Sequence, residues 1–329
     1  MSAVPAAAAA SPAPDGAPSG EAAGGAHAHP PPPGDPATTL DRFLGGRLII
    51  EQPARGAHRA GLDAILLAAT VPAGARGLLV DLGAGVGTAG LAAGLRAPDL
   101  ALHLVERDPA TARLARANAA RLAAQLAASG RTAPIAVIEI DIAAKASLRE
   151  AAGLGRESAD IVIMNPPYFA PARVRASPAG ARAAAHVLPE AAGRPEAAGR
   201  VEPGGAGPDA PGPDAPGPRR APRREGEPGG LAIWTRAAAA LARPDGRLAL
   251  IFRGDALGEI LAALDGRFGA LAIRPIHPRD GMPAHRLLVT GRKGSRAAPT
   301  ILPGLVLHPP AGSDYLPGAD AILRGEAGL

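Results

Sequence analysis

The sequence predicts an α/β fold with a mostly parallel sheet, and three observations support that prediction. Short apolar runs that read as buried strands alternate with Ala- and Leu-rich stretches of helical spacing. Four of these strands end in a polar residue, which is typical of the carboxyl edge of a parallel sheet. Late in the chain, strands predicted at 270–276 and 285–290 flank a short turn at 279–283, which favours an antiparallel hairpin over a parallel crossover.

The predicted elements follow a regular order along the chain. A strand runs into a glycine-rich turn, and helical spacing begins directly after that turn at 89–95. A helix at 231–241 is followed by a Pro-Asp-Gly turn at 244–246, after which the next strand begins. The predicted strands are 78–82, 101–105, 135–141, 159–164, 247–252, 270–276 and 285–290.

Composition divides the chain into one ordered domain and three further segments. Residues 1–37 consist almost wholly of Ala, Pro, Gly and Ser, so they contain too few large apolar side chains to fold and are predicted to be a disordered tail. A Pro-, Gly- and Arg-rich insertion interrupts the domain at about 189–230, and 311–329 is predicted to be a C-terminal tail. The domain at 38–310 then has about 230 ordered residues, which suits a single hydrophobic core.

Several classes of protein are excluded by composition. The chain has no cysteine, so disulfides are excluded and a cytoplasmic location is expected. Neither a secretory signal nor a run of ~20 apolar residues for a membrane span is found in the sequence. The histidines do not combine with carboxylates at metal-ligand spacing, so no metal is predicted. We expect a monomer.

The net charge of +5 suits a polyanionic partner such as RNA. Two basic clusters stand out: four arginines in the insertion at 219–224, and Arg292, Lys293 and Arg296 after the last predicted strand. Either cluster could contact phosphates, and the alternative for both is solvated loop charge. Binding to RNA through such clusters would weaken steeply as the salt concentration rises.

A glycine-rich loop with Gly83, Gly85 and Gly87 follows the first predicted strand and leads into a helix. Glycines let the backbone approach a ligand closely in this strand-turn-helix context. The spacing is GxGxG, so the third glycine comes too early for the GxGxxG pattern of NAD sites. Asp81 lies directly before the loop, and a carboxylate there suits the cationic, phosphate-free S-adenosylmethionine better than a pyrophosphate.

Two further acids follow the next two predicted strands. Glu106 lies 23 residues beyond Gly83, near the spacing of about 20 that is typical of a ribose-binding carboxylate. Asp141 could accept a hydrogen bond from the adenine amine of the cofactor. The alternative for each acid is that it caps the following helix. Because Asp81, Glu106, Asp141 and Asn165 each end a strand, they are predicted to share the ligand-binding edge of the sheet.

The tetrad Asn165-Pro166-Pro167-Tyr168 follows a strand and precedes Phe169. The side-chain oxygen of Asn165 and the carbonyl of Pro166 could accept hydrogen bonds from a planar amine, and Tyr168 could stack on it. The prolines would fix both acceptors before the substrate binds. Pro167 and Phe169 are predicted to contact the substrate. The alternative is that the prolines end the strand without a further role.

With these motifs the sequence resembles the class I S-adenosylmethionine-dependent methyltransferases of the NPPY type. Within this class it is most similar to the bacterial tRNA(Val) (adenine-N6)-methyltransferase family. Two features support this similarity: the Tyr-Phe pair at 168–169 that ends the motif, and segment 52–69. In that segment a Gln, a Gly and an Asp-Ala pair lead into an apolar helix. The resemblance covers 40 to about 186 and 231 to about 310. The insertion departs from the family's shorter connection, so the substrate-side wall of the site is not fixed by the resemblance.

The resemblance implies a Rossmann-like, seven-stranded methyltransferase sheet with a C-terminal antiparallel hairpin. It also implies S-adenosylmethionine as cofactor and N6-methylation of an adenine in tRNA, in the anticodon loop of a valine tRNA. Asn165, Pro166 and Tyr168 are then the catalytic residues. The cofactor residues would be Asp81, Gly83, Gly85, Gly87, Glu106 and Asp141.

Two alternative functions stay open at this point. An N5-glutamine methyltransferase acting on a protein such as a release factor uses the same tetrad, but those enzymes carry a folded helical domain where this chain has a low-complexity tail. A non-catalytic RNA-binding protein on a methyltransferase scaffold is the second alternative. The joint presence of the cofactor residues argues against it, since a scaffold without a cofactor would not require them.

Overall fold

The computed structural model of the protein describes residues 37–54, 61–167 and 230–329. The predicted disordered tail, apart from Ala37, and the predicted insertion, apart from Gly230, lie outside the described residues. In the described part, no helix is both long and apolar enough to span a membrane.

Strands and helices alternate through most of the described chain. The strands are β1 (Thr38–Phe43), β2 (Leu48–Pro53), β3 (Gly77–Leu82), β4 (Leu100–Glu106), β5 (Ile135–Glu139), β6 (Ala159–Met164), β7 (Ala242–Arg253), β8 (Phe268–Arg279), β9 (Arg286–Lys293), β10 (Thr300–Ile301) and β11 (Leu305–His308). The helices are α1 (Leu62–Ala68), α2 (Thr88–Arg96), α3 (Pro109–Ala128), α4 (Ala146–Ala151), α5 (Gly230–Leu241), α6 (Leu257–Leu264) and α7 (Pro317–Leu323).

The main sheet has the order β10-β8-β9-β7-β6-β3-β4-β5, and β11 also pairs with β8. Strands β3 to β7 are parallel to one another, whereas β9 runs antiparallel to both β7 and β8. The seven predicted strands correspond to β3 to β9, so the predicted fold class and its C-terminal hairpin are confirmed. The short strands β10 and β11 were not predicted, and with them the sheet has nine strands in the described residues.

Both faces of the central strands are buried, which explains their nearly continuous apolar sequences. On β6, Ile161 and Ile163 belong to the core on one face of the sheet, together with residues of α1, α2, α3 and α7. Val162 and Met164 belong to the core on the other face, which contains residues of α5 and α6. The alternation follows the two-residue period of a strand, so each face of the sheet has its own helical layer.

The β1–β2 hairpin and helix α7 also have no counterpart among the predicted elements. Strands β1 and β2 form a separate antiparallel hairpin. Within 311–329 the structure contains helix α7, whose Ala319 and Ile322 are buried in the same core as α1. The backbone amide of Leu329 donates a 2.9 Å hydrogen bond to the carbonyl of Ala69 directly after α1.

Candidate active site at the carboxyl edge of the sheet

The pairing of β3 with its two neighbours sets the geometry of the candidate site. Leu82, the last residue of β3, pairs with Val105 of β4 on one side and with Met164 of β6 on the other. The residues that follow these positions therefore lie side by side, about 4.8 Å apart from strand to strand. In this way the structure brings the glycine loop, Glu106 and Asn165 to one edge of the sheet.

The glycine loop turns sharply from β3 into α2. Gly83, Gly85 and Gly87 have φ values of +68°, +57° and +91°, in the left-handed region that favours glycine. Gly87 is the N-cap of α2, so the loop ends where the helix begins. The amide of Ala84 donates a 2.8 Å hydrogen bond to the carbonyl of Val105, which fixes the loop to β4.

The carboxylate of Glu106 contacts this loop directly. Its Oε2 accepts a 3.0 Å hydrogen bond from the amide of Gly85, and its Oε1 accepts bonds of 2.9 and 2.8 Å from the amides of Arg107 and Asp108. Three backbone donors therefore hold one side chain at the end of β4. Such a fixed carboxylate beside a glycine loop is well placed to bind the hydroxyls of a ribose.

Asp81 is buried beneath the loop. Its Oδ2 accepts a 2.8 Å hydrogen bond from the amide of Gly90 in the first turn of α2, and the side chain is 2% exposed. Burial raises the pKa of Asp81 to about 7, against the lowering effect of the Gly90 hydrogen bond, and the charge of Glu106 adds a smaller increase.

Asp141 lies two residues beyond β5 at the same edge, and it is exposed. Its Oδ1 accepts a 2.8 Å hydrogen bond from the amide of Ala143, and its Oδ2 lies 3.6 Å from Nη1 of Arg107. The side chain thus organises the turn that follows β5. An adenine-binding role for Asp141 stays a prediction.

Asn165 directly follows β6 and is half-buried, Pro166 is buried and Pro167 is exposed. Since Met164 pairs with Leu82, Asn165 lies one strand away from Gly83. Tyr168 and Phe169 lie outside the described residues, so their predicted contacts with the substrate stay predictions.

An ion pair fixes α1 above the same edge. Nε of Arg286, the first residue of β9, lies 2.9 Å from Oδ2 of Asp63 in the first turn of α1. The two side chains are 24% and 20% exposed. Arg286 pairs in turn with Arg253 at the end of β7. In the sequence, Asp63 stands out only as part of segment 52–69, which carries the family resemblance. The structure shows that Arg286 is its partner.

The second basic cluster lies elsewhere. Nζ of Lys293 is 2.8 Å from Oε1 of Glu157 and donates a 2.7 Å hydrogen bond to the carbonyl of Ala242. Ala242 pairs with Ala159, which begins β6, whereas Asn165 follows the end of that strand. The cluster therefore lies at the opposite edge of the sheet, about 20 Å from Asn165 at 3.3 Å per residue.

Sequence reasoning missed Asn118, a buried residue of α3. Its side-chain amide donates to the carbonyls of Glu51 and Val86 at 2.9 and 3.0 Å, and its oxygen accepts from the amide of Glu51 at 2.8 Å. Asn118 thus joins α3, the β1–β2 hairpin and the glycine loop. The available signal was an amide side chain on an apolar, Ala- and Leu-rich helix face.

Sequence reasoning also gave no site role to Trp234 of α5, although it is the single tryptophan of the chain. Its ring lies against Gly83: a Cβ built on that glycine would be 2.3 Å from Cη2 and 2.7 Å from Cζ3 of the indole. The one signal in the sequence was the rarity of the residue.

The residues at this edge fit S-adenosylmethionine. Among the described residues, a Cβ built on Gly85 would meet no atom within 4 Å, so the loop leaves open space for a ligand beside Glu106. The carboxylate of Glu106 contacts the loop, and its negative charge suits a cationic cofactor. Gly83, Gly85 and Glu106 are the residues that would surround the cofactor here, and Asp81 supports the loop from beneath.

Comparisons with known proteins agree with this geometry. Residues 59–190 match the family model "Methyltransferase small domain". A predicted O-methyltransferase from Agrobacterium tumefaciens is 31% identical, and the match covers 81% of this chain and 98% of that protein with a TM-score of 0.58. No curated protein gives a significant match to the sequence.

Two more distant solved structures have TM-scores below 0.5. TYW2 from M. jannaschii, in complex with AdoMet, is 9% identical over 79% of this chain and 87% of that one, with a TM-score of 0.44. A putative transferase from Pyrococcus horikoshii is 11% identical over 80% of this chain and 74% of that one, with a TM-score of 0.43.

The match covers nearly the whole length of the Agrobacterium protein, at more than 30% identity. The family match spans the glycine loop, Glu106 and Asn165. The chain therefore belongs to the S-adenosylmethionine-dependent methyltransferases, and its residues 59–190 match the methyltransferase small domain.

Proposed function

We propose that this methyltransferase modifies the N6 amine of an adenine in tRNA. The observation that carries the proposal is the position of Asn165 and Pro166, which directly follow β6 one strand away from Gly83 of the cofactor loop. A substrate amine at Asn165 would therefore lie beside the bound cofactor, as direct transfer requires. The resemblance of the Asn-Pro-Pro-Tyr-Phe sequence to the tRNA(Val) adenine-N6 family supports the choice of base and of RNA.

Asn165 and Pro166 address the main chemical difficulty of this reaction. The lone pair of an exocyclic amine is delocalised into the ring, so the nitrogen is a weak nucleophile. The side-chain oxygen of Asn165 and the carbonyl of Pro166 are acceptors for its two hydrogens. Two such bonds favour a tetrahedral nitrogen and stabilise the positive charge that develops on it.

The proline pair makes these acceptors effective. Proline fixes φ near −65°, so Pro166 and Pro167 leave few rotations in the loop after β6. Pro166 is buried, which anchors the loop to the domain. The acceptors are therefore held in place before the substrate binds, and little entropy is lost when it does.

The cofactor supplies the methyl group, and the residues of the glycine loop hold it. Glu106 offers a carboxylate to the ribose hydroxyls, and it accepts hydrogen bonds from the amide of Gly85 in the loop and from the amides of Arg107 and Asp108 after β4. An adenine within an RNA loop can be splayed out of its stack and bound on its Watson–Crick edge, which presents the N6 amine to Asn165.

The experiment is to incubate the purified protein with radiolabelled S-adenosylmethionine and total RNA from a strain that lacks its gene. The labelled nucleoside is then identified by mass spectrometry. We expect label in N6-methyladenosine from the tRNA fraction. Asn165→Ala should lower the turnover at least 100-fold, about 2.7 kcal/mol of transition-state stabilisation, while binding of S-adenosylhomocysteine stays within about twofold.

Other outcomes would overturn the proposal in distinct ways. Label in a protein such as a release factor, with none in RNA, would assign the enzyme to glutamine N5-methylation. Label on a ribose or other oxygen would assign it to O-methylation, the activity predicted for the Agrobacterium relative. Unchanged turnover in Asn165→Ala would contradict the role of Asn165 for any acceptor.

A further inference from the structure

The single tryptophan of the chain supports the cofactor loop. Trp234 lies in the second turn of α5, and the six-membered part of its indole faces Gly83, the first glycine of the loop. Because a Cβ on Gly83 would come within 2.3 Å of the ring, the indole occupies the space that any other residue would need. Ring and backbone are therefore in direct contact.

The contact adds a fourth fixed point to the loop. Ala84 is held by the carbonyl of Val105, Gly85 is held by Glu106, and the carbonyl of Val86 accepts a hydrogen bond from Asn118. All three of these contacts follow Gly83 along the chain. Trp234 contacts the beginning of the loop, where the chain leaves β3 with a φ of +68°. This is the point at which the backbone direction of the whole loop is set.

The position of Trp234 also relates the loop to the methyl-transfer site. Gly83 and Asn165 follow the paired residues Leu82 and Met164, so the ring lies at the junction of β3 and β6. The side chain is half-buried and packs against the core on the α5 and α6 face of the sheet. Helix α5 is the first described element after Asn165-Pro166-Pro167.

We infer that Trp234 is a positioning residue of the cofactor site, which acts by holding Gly83 in the left-handed turn that begins the loop. Cofactor affinity then depends on an aromatic ring at position 234, and cofactor binding changes the surroundings of that ring. This inference rests on the family's cofactor, and it is independent of which substrate receives the methyl group.

Three variants separate positioning from general stability. Trp234→Phe keeps an aromatic ring against Gly83, and Trp234→Ala removes the ring. The matched control is Leu241→Ala, because Leu241 is a fully buried apolar residue of the same helix and the same core, seven positions from the contact. For each protein we would measure the dissociation constant of S-adenosylhomocysteine by calorimetry and the melting temperature.

We expect Trp234→Ala to weaken S-adenosylhomocysteine binding at least tenfold, and Trp234→Phe to stay within about threefold of the wild type. Leu241→Ala should lower the melting temperature because it leaves a cavity, with the dissociation constant unchanged below the transition. Wild-type affinity in Trp234→Ala would overturn the inference. So would a loss of affinity in Leu241→Ala as large as that in Trp234→Ala.

The wild-type protein offers an independent test, since all its tryptophan fluorescence comes from Trp234. Titration with S-adenosylhomocysteine should change the emission, and the curve should give the dissociation constant found by calorimetry. Emission that stays constant up to saturation would overturn the inference even if Trp234→Ala fails to fold. Neither test measures methylation, so the identity of the substrate does not affect the outcome.

Discussion

The backbone amide of Gly90 donates a 2.8 Å hydrogen bond to Oδ2 of Asp81, a carboxylate that is 2% exposed. This bond joins the first turn of α2 to the end of β3, the two elements on either side of the glycine loop. Burial raises the pKa of Asp81 to about 7, so its ionisation is coupled to folding. The cofactor loop therefore has a pH-dependent support.

The first prediction concerns the pH dependence of stability. The ordinary pKa of Asp81 is 3.8, and its pKa in the folded chain is about 7. Between these two pH values Asp81 is ionised in the unfolded chain but protonated in the folded one. Its contribution to stability is therefore fully present below pH 3.8 and is lost as the pH rises through about 7, by at most about 1.4 kcal/mol per pH unit.

Asp81→Asn lacks this titration. The unfolding free energy of this variant, minus that of the wild type, should therefore increase between about pH 5 and pH 7. Urea denaturation at a series of pH values measures the difference, in which the titrations of other groups largely cancel. A difference that is constant with pH would show that Asp81 has an ordinary pKa.

The second prediction concerns Glu106. Glu106→Gln would place an amide NH2 among the three backbone donors of Gly85, Arg107 and Asp108, and would remove the charge offered to a ribose. We expect the dissociation constant of S-adenosylhomocysteine, measured by calorimetry, to rise at least tenfold, about 1.4 kcal/mol.

Glu139→Gln is the matched control for Glu106→Gln. Glu139 ends the neighbouring strand β5 and lies 3.0 Å from Nη2 of Arg116 in a surface ion pair, which is worth little. The affinity of Glu139→Gln for S-adenosylhomocysteine should stay within about twofold of the wild type. Equal affinities of the two variants would remove Glu106 from the cofactor site.

The third prediction concerns Asn118. Asn118→Ala leaves the carbonyls of Glu51 and Val86 and the amide of Glu51 without this partner, at about 1–3 kcal/mol for a buried group left unsatisfied. We expect a loss of about 2–4 kcal/mol in the unfolding free energy, measured with urea. Gln125→Ala, on the exposed side of the same helix, should cost less than about 0.5 kcal/mol. Similar losses for both would contradict the bridging role.

The fourth prediction separates the two basic clusters. Arg292→Glu combined with Arg296→Glu changes the edge of the sheet opposite Asn165, at a distance of about 20 Å, whereas charges are screened over about 8 Å at physiological salt. If tRNA is the substrate, kcat/KM for tRNA at that salt concentration should fall less than about twofold. Replacing the arginines at 219–224 with Ser is the comparison, because that cluster is the other candidate for phosphate contacts. A fall of more than twofold for the Arg292 and Arg296 variant would place tRNA on the edge opposite Asn165.

The motifs that the sequence predicted are local. The unit formed by β3, the glycine loop and α2 could be recognised because one continuous segment, 77–96, contains all of it. The same holds for Asn165 and its prolines after β6. Asn118 could not be recognised in this way, since its partners Glu51 and Val86 are 67 and 32 residues away along the chain. Strands β1 and β2, which are attached through Asn118, were missed with it.

The sequence by itself determined the fold class, the cofactor and the order of the polar residues at the strand ends, because short-range patterns specify each of these. Only the tertiary structure decided that Trp234 lies against Gly83, that burial shifts the pKa of Asp81, and that Lys293 lies far from Asn165. These properties depend on strand register and on packing between distant segments. A linear pattern does not contain that information, since register and packing are fixed only when the whole core forms.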